Sequence, residues 1–186
     1  MAVLGPGSGL GVACVVPKGD EWVAVGGEGG HVSLPAMNET EAAIVREHGD
    51  ADGHCSAESL LSGPGLLRIY SSLCRMQNRD VDIAEPADVT ALAKSGDEIA
   101  IRTFDLFFAL LGTVAGNLAL TVGARGGIFI GGGIVPRVPD LIRQSPFRER
   151  FVAKGRYRDY LDAIPTAVIS CENPTFIGLK ASLAKN

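Results

Sequence analysis

The sequence predicts a single mixed α/β domain, in which a β-hairpin comes first and helices then alternate with short buried strands. Its 186 residues are enough to bury one core, and 46% of them are hydrophobic, with 24 glycines for tight turns. Residues 8–17 and 21–25 alternate around Pro17-Lys18-Gly19-Asp20, a pattern typical of a hairpin. Ile128-Phe129-Ile130 is a short apolar run, as in a parallel strand buried on both faces.

The first elements follow from local signals. Ala2-Val3-Leu4 has the character of a buried strand that runs directly into a glycine turn, which suggests a truncated chain that lacks a preceding segment. Asn38-Glu39-Thr40-Glu41 resembles a capping box and predicts a helix that continues to about His48. Ser56 predicts the cap of a short helical turn that holds Glu58.

Three further helices are predicted in the middle of the chain. After the break at Ser62-Gly63-Pro64-Gly65, residues 66–77 place their apolar side chains on one helical face. Glu85-Pro86 opens a short helix. Ser95-Gly96-Asp97-Glu98 caps a long helix that reaches about Val122.

The long helix has two interpretations. Residues 106–123 carry no charge and include Gly112-x-x-x-Gly116, a spacing also found where transmembrane helices pack. The stretch is short for a membrane span, contains three polar side chains and lacks basic or aromatic flanks. A helix that is apolar almost all round also suits the centre of an α/β domain, and we therefore predict a core helix and no membrane.

The last elements are a helical region over residues 138–154, a buried strand over residues 167–170 and a terminal helix that starts at Pro174. The net charge of −4 and the pI near 5.4 oppose a nucleic-acid surface, which is normally basic. The four cysteines show no zinc-binding spacing, and no signal peptide is visible. These observations predict reduced thiols, no bound metal and a cytoplasmic location.

Gly26-Gly27-Glu28-Gly29-Gly30-His31 places a carboxylate and an imidazole in a loop made otherwise of glycine. We expect the glycines to hold backbone conformations that other residues reach only at a cost, so that Glu28 and His31 converge on a small, polyhydroxylated ligand. The alternative is an ordinary glycine turn with two solvated polar side chains.

Two other glycine segments are candidate phosphate or nucleotide sites. Gly5-Pro6-Gly7-Ser8-Gly9-Leu10-Gly11 fits neither the dinucleotide fingerprint nor the P-loop. It predicts either a plain turn or a hairpin tip whose backbone N–H groups and Ser8 hydroxyl face phosphate oxygens. Gly131-Gly132-Gly133 follows a buried strand, where open α/β sheets bind ligands, although tight packing alone would also explain it.

Taken together, these segments resemble the bacterial ATP-dependent glucokinases of the hexokinase–actin superfamily, the type without the zinc motif. The similarity runs almost from end to end and rests on four motifs in order. These are Gly5-Pro6-Gly7-Ser8-Gly9-Leu10-Gly11-Val12-Ala13, then Gly27-Glu28-Gly29-Gly30-His31, then Ser56-Ala57-Glu58 with Leu61-Ser62-Gly63-Pro64-Gly65-Leu66, and finally Gly126-Gly127-Ile128-Phe129-Ile130-Gly131-Gly132-Gly133-Ile134-Val135-Pro136-Arg137.

The resemblance implies an actin/hexokinase-like (ribonuclease H-like) large domain, with a mixed sheet flanked by helices. It implies that Glu28, His31 and Glu58 bind glucose hydroxyls. It also implies that Gly5 and the Gly7-Ser8-Gly9 turn hold phosphates, and that Gly132-Gly133 contacts adenosine.

The resemblance further implies that residues 1–186 are the large C-terminal lobe of a kinase that transfers the γ-phosphoryl group of ATP, bound with Mg²⁺, to the 6-hydroxyl of D-glucose. In this family the general-base Asp lies in a smaller N-terminal domain, which we expect to be absent, so the isolated chain is expected to be inactive. The alternative is a non-catalytic sugar or nucleotide sensor that retains only the large lobe. A homodimer is usual in this family.

Overall fold

A computed structural model describes residues 1–171 and 173–183, and within them the strands form one mixed sheet. The strands are β1 (Ala2–Pro6), β2 (Leu10–Lys18), β3 (Glu21–Gly27), β4 (Ile128–Ile130) and β5 (Thr166–Val168). Their spatial order is β3-β2-β1-β4-β5. Antiparallel pairing joins β1 to β2 and β2 to β3, whereas β4 runs parallel to both β1 and β5. The predicted hairpin and mixed α/β class are confirmed.

Several helices begin where a side chain caps the first turn. Asn38, Ser56, Ser62 and Asp97 each accept a hydrogen bond from a backbone N–H three residues ahead. The helices are α1 (Glu39–Glu47), α2 (Ala57–Leu60), α3 (Gly63–Met76), α4 (Pro86–Lys94), α5 (Glu98–Val122), α6 (Pro139–Gln144), α7 (Phe147–Val152), α8 (Arg158–Asp162) and α9 (Pro174–Leu183). The capping residues therefore locate the starts of α1, α2 and α5 as predicted.

Several predicted boundaries were wrong. Helix α3 begins at Gly63 and not at residue 66, because Ser62 caps it and Pro64 is tolerated in the first turn. The helix predicted over residues 138–154 is broken at Ser145 and Pro146, since the residue before a proline favours the extended backbone that Ser145 adopts. Strand β5 starts and ends earlier than residues 167–170, and helix α8 was not predicted.

Helix α5 is the centre of the helical layer. Among residues 1–171 and 173–183, one helix is long and apolar enough to cross a membrane, and it is α5, but 61% of its most apolar window is buried inside the protein. Gly112 and Gly116 face α7, and a Cβ at either position would overlap the backbone carbonyl of Phe147 or Phe151. The glycine spacing therefore permits close contact between α5 and α7, and the predicted core helix is confirmed.

The cap of α5 gives a testable pH dependence. Asp97 accepts a hydrogen bond from the Ala100 N–H at 2.9 Å and pairs with the Arg79 guanidinium at 2.6 Å. Burial tends to raise the pKa of Asp97, but the N–H of Ala100 and the guanidinium of Arg79 outweigh it and hold that pKa below its usual value. A depressed carboxyl pKa stabilises the fold above the unfolded-state pKa, and this stability is lost as the pH falls through the folded-state value.

We expect Asp97→Asn, which keeps a capping oxygen without the charge, to lower the free energy of unfolding by about 0.5–1 kcal/mol at neutral pH. Urea unfolding should show this deficit shrinking progressively as the pH falls to about 3. Asp20→Asn in the exposed turn between β2 and β3 is the control, and it should unfold almost like wild type at neutral pH. A deficit for Asp97→Asn that stays the same across this pH range would contradict the interpretation.

Candidate functional site

The topology brings two glycine loops to one edge of the sheet. Because β1 and β4 are adjacent and parallel, the turn after Pro6 and the glycine run after Ile130 emerge side by side. The Gly131 N–H donates to the Leu4 carbonyl at 2.8 Å, and the Ile134 N–H donates to the Pro6 carbonyl at 3.3 Å. The two candidate phosphate and nucleotide segments therefore form one continuous backbone surface.

Gly132 is the residue on which this contact depends. Its φ of +78° is a left-handed conformation that favours glycine, and a Cβ there would overlap the Pro6 carbonyl. A Cβ on Gly5 would lie 3.6 Å from the Gly132 nitrogen, and one on Gly7 would lie 3.5 Å from the Gly133 nitrogen. Both are ordinary van der Waals contacts, so the turn and the glycine run lie directly against each other.

A cavity of about 890 Å³ opens beside the glycine run, between the end of β5 and the start of α9. It is lined by Gly131, Gly132, Gly133, Pro136, Arg137, Ile169, Ser170, Cys171, Asn173, Pro174, Thr175 and Phe176. Sequence reasoning did not assign Arg137, Asn173 or Phe176 to a site. Arg137 lies four positions after Gly133, and this closeness in the sequence was an available signal. The part of the lining that α9 contributes depends on the tertiary fold.

The loop that carries Glu28 and His31 is organised differently from the prediction. Gly26 and Gly27 complete β3, and Glu28 precedes a single 3₁₀ turn that spans Gly29–His31. None of the four glycines has a left-handed φ, so the predicted special backbone conformations were wrong. Glycine is required instead for close approach to β2, because a Cβ on Gly29 would lie 2.8 Å from the Val12 side chain and one on Gly30 would overlap the Leu10 carbonyl.

Backbone pairing then brings α2 against this loop. The Ala57 N–H donates to the Val32 carbonyl at 2.8 Å, and the Leu34 N–H donates to the Cys55 carbonyl at 2.9 Å. Glu58 lies in the first turn of α2, directly after this paired segment. A residue 27 positions after His31 in the sequence is thereby placed beside it.

Glu28, His31 and Glu58 converge as expected, on a surface open to solvent. The Nε2 atom of His31 lies 4.0 Å from a carboxylate oxygen of Glu28 and 4.0 Å from one of Glu58. These separations are longer than hydrogen bonds, and the side chains of Glu28, His31 and Glu58 are 91%, 60% and 35% exposed. The three groups are therefore available to bind hydroxyl groups of a ligand, because carboxylates accept hydrogen bonds and imidazole both donates and accepts.

Glu58 also joins this cluster to the glycine turn. Its Oε2 atom accepts a hydrogen bond of 2.7 Å from the backbone N–H of Leu10, the residue directly after the Gly7-Ser8-Gly9 turn. The side chains of Glu28, His31 and Glu58, the turn and the Gly132-Gly133 backbone thus form one contiguous row. Across residues 1–171 and 173–183, His, Cys, Asp and Glu side chains form no group of three suited to a metal ion.

Comparison with known proteins identifies the family. A model of the family described as "Glucokinase" matches residues 1–186. The chain belongs to the glucokinase family. It is 47% identical to the glucokinase of Nitrobacter hamburgensis over 180 residues, which cover 96% of this chain and 56% of that protein. It is also 44% identical to the bifunctional protein glk of Burkholderia pseudomallei, over the whole of this chain and 29% of that protein.

The fold agrees with this assignment. The crystal structure of a glucokinase from an Antarctic psychrotroph superimposes with a TM-score of 0.90 at 36% sequence identity, over 100% of this chain and 58% of that one. Structures of sugar kinases with the actin-like hexokinase fold also match, which confirms the predicted actin/hexokinase-like architecture. The chain spans about half the length of the glucokinases that it matches.

Proposed function

We propose that this chain is the large C-terminal lobe of a glucokinase, and that the complete enzyme transfers the γ-phosphoryl group of ATP to the 6-hydroxyl of D-glucose. The observation that carries the proposal is the contiguous row formed by Glu28, His31, Glu58, the Gly7-Ser8-Gly9 turn and the Gly132-Gly133 backbone. A sugar kinase needs a site for a polyhydroxylated acceptor beside a site for phosphates, and this row supports the proposal because it places carboxylates and an imidazole next to a glycine turn.

Glucose recognition is assigned to Glu28, His31 and Glu58. An ionised carboxylate that accepts a hydrogen bond from a sugar hydroxyl contributes about 1.5–3 kcal/mol. That contribution is lost when the hydroxyl is missing or inverted, because the carboxylate is then left without its partner. One carboxylate oxygen each of Glu28 and Glu58 lies 4.0 Å from Nε2 of His31, and all three side chains are at least partly exposed, which supports this role.

Nucleotide binding is assigned to the second half of the row. The Ser8 hydroxyl and the backbone N–H groups of the turn would hold phosphate oxygens. Adenosine would lie on the bare backbone of Gly132-Gly133 and extend into the cavity beside Arg137. The cavity of about 890 Å³ is large enough to hold adenosine. Mg²⁺ would arrive bound to the phosphates of ATP and would neutralise charge during transfer.

No residue of this chain is assigned as the catalytic base. Phosphoryl transfer needs a group that orients or deprotonates the attacking hydroxyl. Glu28 and Glu58 are committed to other sugar hydroxyls in this proposal, and the general-base Asp is expected in a smaller N-terminal domain. Closure of the two domains over the sugar would exclude water as a competing acceptor.

Titration calorimetry of this chain with glucose and with Mg·ATP tests the binding proposal. We expect both ligands to bind, and we expect a coupled assay to detect no glucose-dependent ADP release by the chain alone. The same titrations on a version that includes a small domain are the control, and that version should turn over. Turnover by the 186-residue chain at an ordinary kinase rate would contradict the assignment of the base to another domain. Failure to bind either ligand would contradict the proposed function itself.

We also propose a cytoplasmic location and a homodimer. All four cysteines are free thiols, which supports a reducing compartment. Helix α9 exposes Phe176, Ile177, Leu179 and Leu183, and this apolar face would be an association surface.

A further inference from the structure

The carboxylate of Glu58 faces two sites at once. Its Oε1 atom lies 4.0 Å from Nε2 of His31, whereas Oε2 accepts the Leu10 N–H at 2.7 Å. We propose that Glu58 is a positioning residue for the nucleotide as well as a sugar ligand, so that glucose binding orders the Gly7-Ser8-Gly9 turn for the phosphates of ATP. This inference rests on the proposed function and adds an energetic link between its two substrates.

The turn is held at both ends by one short segment of chain. The Gly63 N–H, at the start of α3, donates to the Gly7 carbonyl at 2.7 Å. Glu58 holds the other end through Leu10, and only four residues separate Glu58 from Gly63. Within the turn, the Gly7 N–H donates to the Gly9 carbonyl at 2.8 Å. The segment from Glu58 to Gly63 therefore sets the conformation of the Gly7-Ser8-Gly9 turn.

Direct packing strengthens this connection. A Cβ on Gly9 would overlap the Oε2 atom of Glu58 and lie 3.1 Å from its carboxyl carbon. The carboxylate thus lies on the bare backbone of the turn, and a displacement of Glu58 would have to move either Gly9 or the Leu10 N–H. A sugar hydroxyl that fixes Oε1 would also fix Oε2, and with it the turn.

This arrangement predicts coupling that works in both directions. If glucose tightens nucleotide binding through Glu58, nucleotide must tighten glucose binding by the same factor. Glu28 provides a matched comparison, because it approaches the same imidazole and is 91% exposed. Within residues 1–171 and 173–183, no hydrogen bond links the Glu28 carboxylate to the turn.

The test measures the Kd of Mg·ATP by calorimetry, without glucose and with saturating glucose, for wild type, Glu28→Ala, Glu58→Ala and Glu58→Gln. Without glucose, Glu58→Ala should weaken Mg·ATP binding about tenfold, whereas Glu28→Ala should leave it within about twofold. Glu58→Gln keeps an oxygen that can accept the Leu10 N–H, so it should restore most Mg·ATP affinity while glucose binding stays weak. In wild type, glucose should tighten Mg·ATP binding at least about fivefold, and Glu58→Ala should abolish this effect.

A second measurement does not depend on any variant folding. Amide hydrogen exchange at residues 8–10 of the wild-type chain should slow when glucose is added. Unchanged exchange in the presence of bound glucose would overturn the coupling. Equal Mg·ATP affinities for Glu28→Ala and Glu58→Ala would also overturn it, and both results would leave the proposed function intact. A wild-type chain that binds neither ligand would overturn the proposed function and this inference together.

Discussion

Arg150→Ala should lower the free energy of unfolding by about 3–5 kcal/mol, the range typical when one partner of a buried ion pair is removed. Glu41 is 1% exposed, and Arg150 donates to both of its carboxylate oxygens, with Nη2 at 3.0 Å from Oε2. The same guanidinium group donates to the Thr113 hydroxyl of α5 at 2.9 Å. Without Arg150, the Glu41 carboxylate would be buried without a cation, and α7 would lose its hydrogen bonds to Glu41 of α1 and Thr113 of α5.

Chemical denaturation monitored by circular dichroism would measure this loss. Arg143→Ala is the matched control, because Arg143 pairs with Asp140 on the surface, where the two side chains are 76% and 79% exposed. Exposed pairs contribute at most about 1 kcal/mol, so this variant should unfold almost like wild type. Adding Glu41→Gln to Arg150→Ala should recover part of the stability, since it removes the unpaired charge. A similar decrease in the free energy of unfolding for Arg150→Ala and Arg143→Ala would show that the buried ion pair contributes little to stability.

Gly132→Ala should weaken Mg·ATP binding by at least about a hundredfold while glucose affinity changes little. A side chain at this φ of +78° costs about 1–2 kcal/mol in strain alone. The added Cβ would also overlap the Pro6 carbonyl and lie 2.8 Å from the carbonyl carbon of Gly5. Because these are backbone atoms of β1, the glycine run would have to separate from the Gly7-Ser8-Gly9 turn.

Gly123→Ala separates the strain of a left-handed φ from the overlap of an added Cβ with neighbouring backbone. Gly123 ends α5 with a φ of +62°, and a Cβ there would meet nothing within 4 Å. This variant should therefore lose about 1–2 kcal/mol of stability from strain, with unchanged Mg·ATP affinity. Calorimetry and thermal unfolding of both variants would distinguish strain from lost contact. Normal Mg·ATP binding by Gly132→Ala would contradict the proposal that the glycine run binds the nucleotide.

Capping residues in the sequence correctly predicted where several helices begin, because a cap acts on a backbone N–H only three residues away. Asn38, Ser56 and Asp97 each satisfy a backbone N–H three residues ahead, so the starts of α1, α2 and α5 could be recognised from the sequence. The single helix predicted over residues 138–154 was wrong because the preference of Ser145 before a proline outweighed the helical pattern. Likewise, the reason for glycine at positions 29 and 30 could not be predicted, because it lies in the side chain of Val12 and the carbonyl of Leu10 on another strand.

Local patterns were enough to predict the mixed α/β class, most of the strands and helices, and the residues of the candidate site. Capping, alternation and glycine content act over a few residues, so they can be recognised without a fold. The tertiary structure alone decided that Glu58 contacts both His31 and the N–H of Leu10, and that Gly132 lies against Pro6. These contacts join residues that are 27 to 126 positions apart, and they exist because β1 and β4 are parallel neighbours and α2 pairs with the loop after His31.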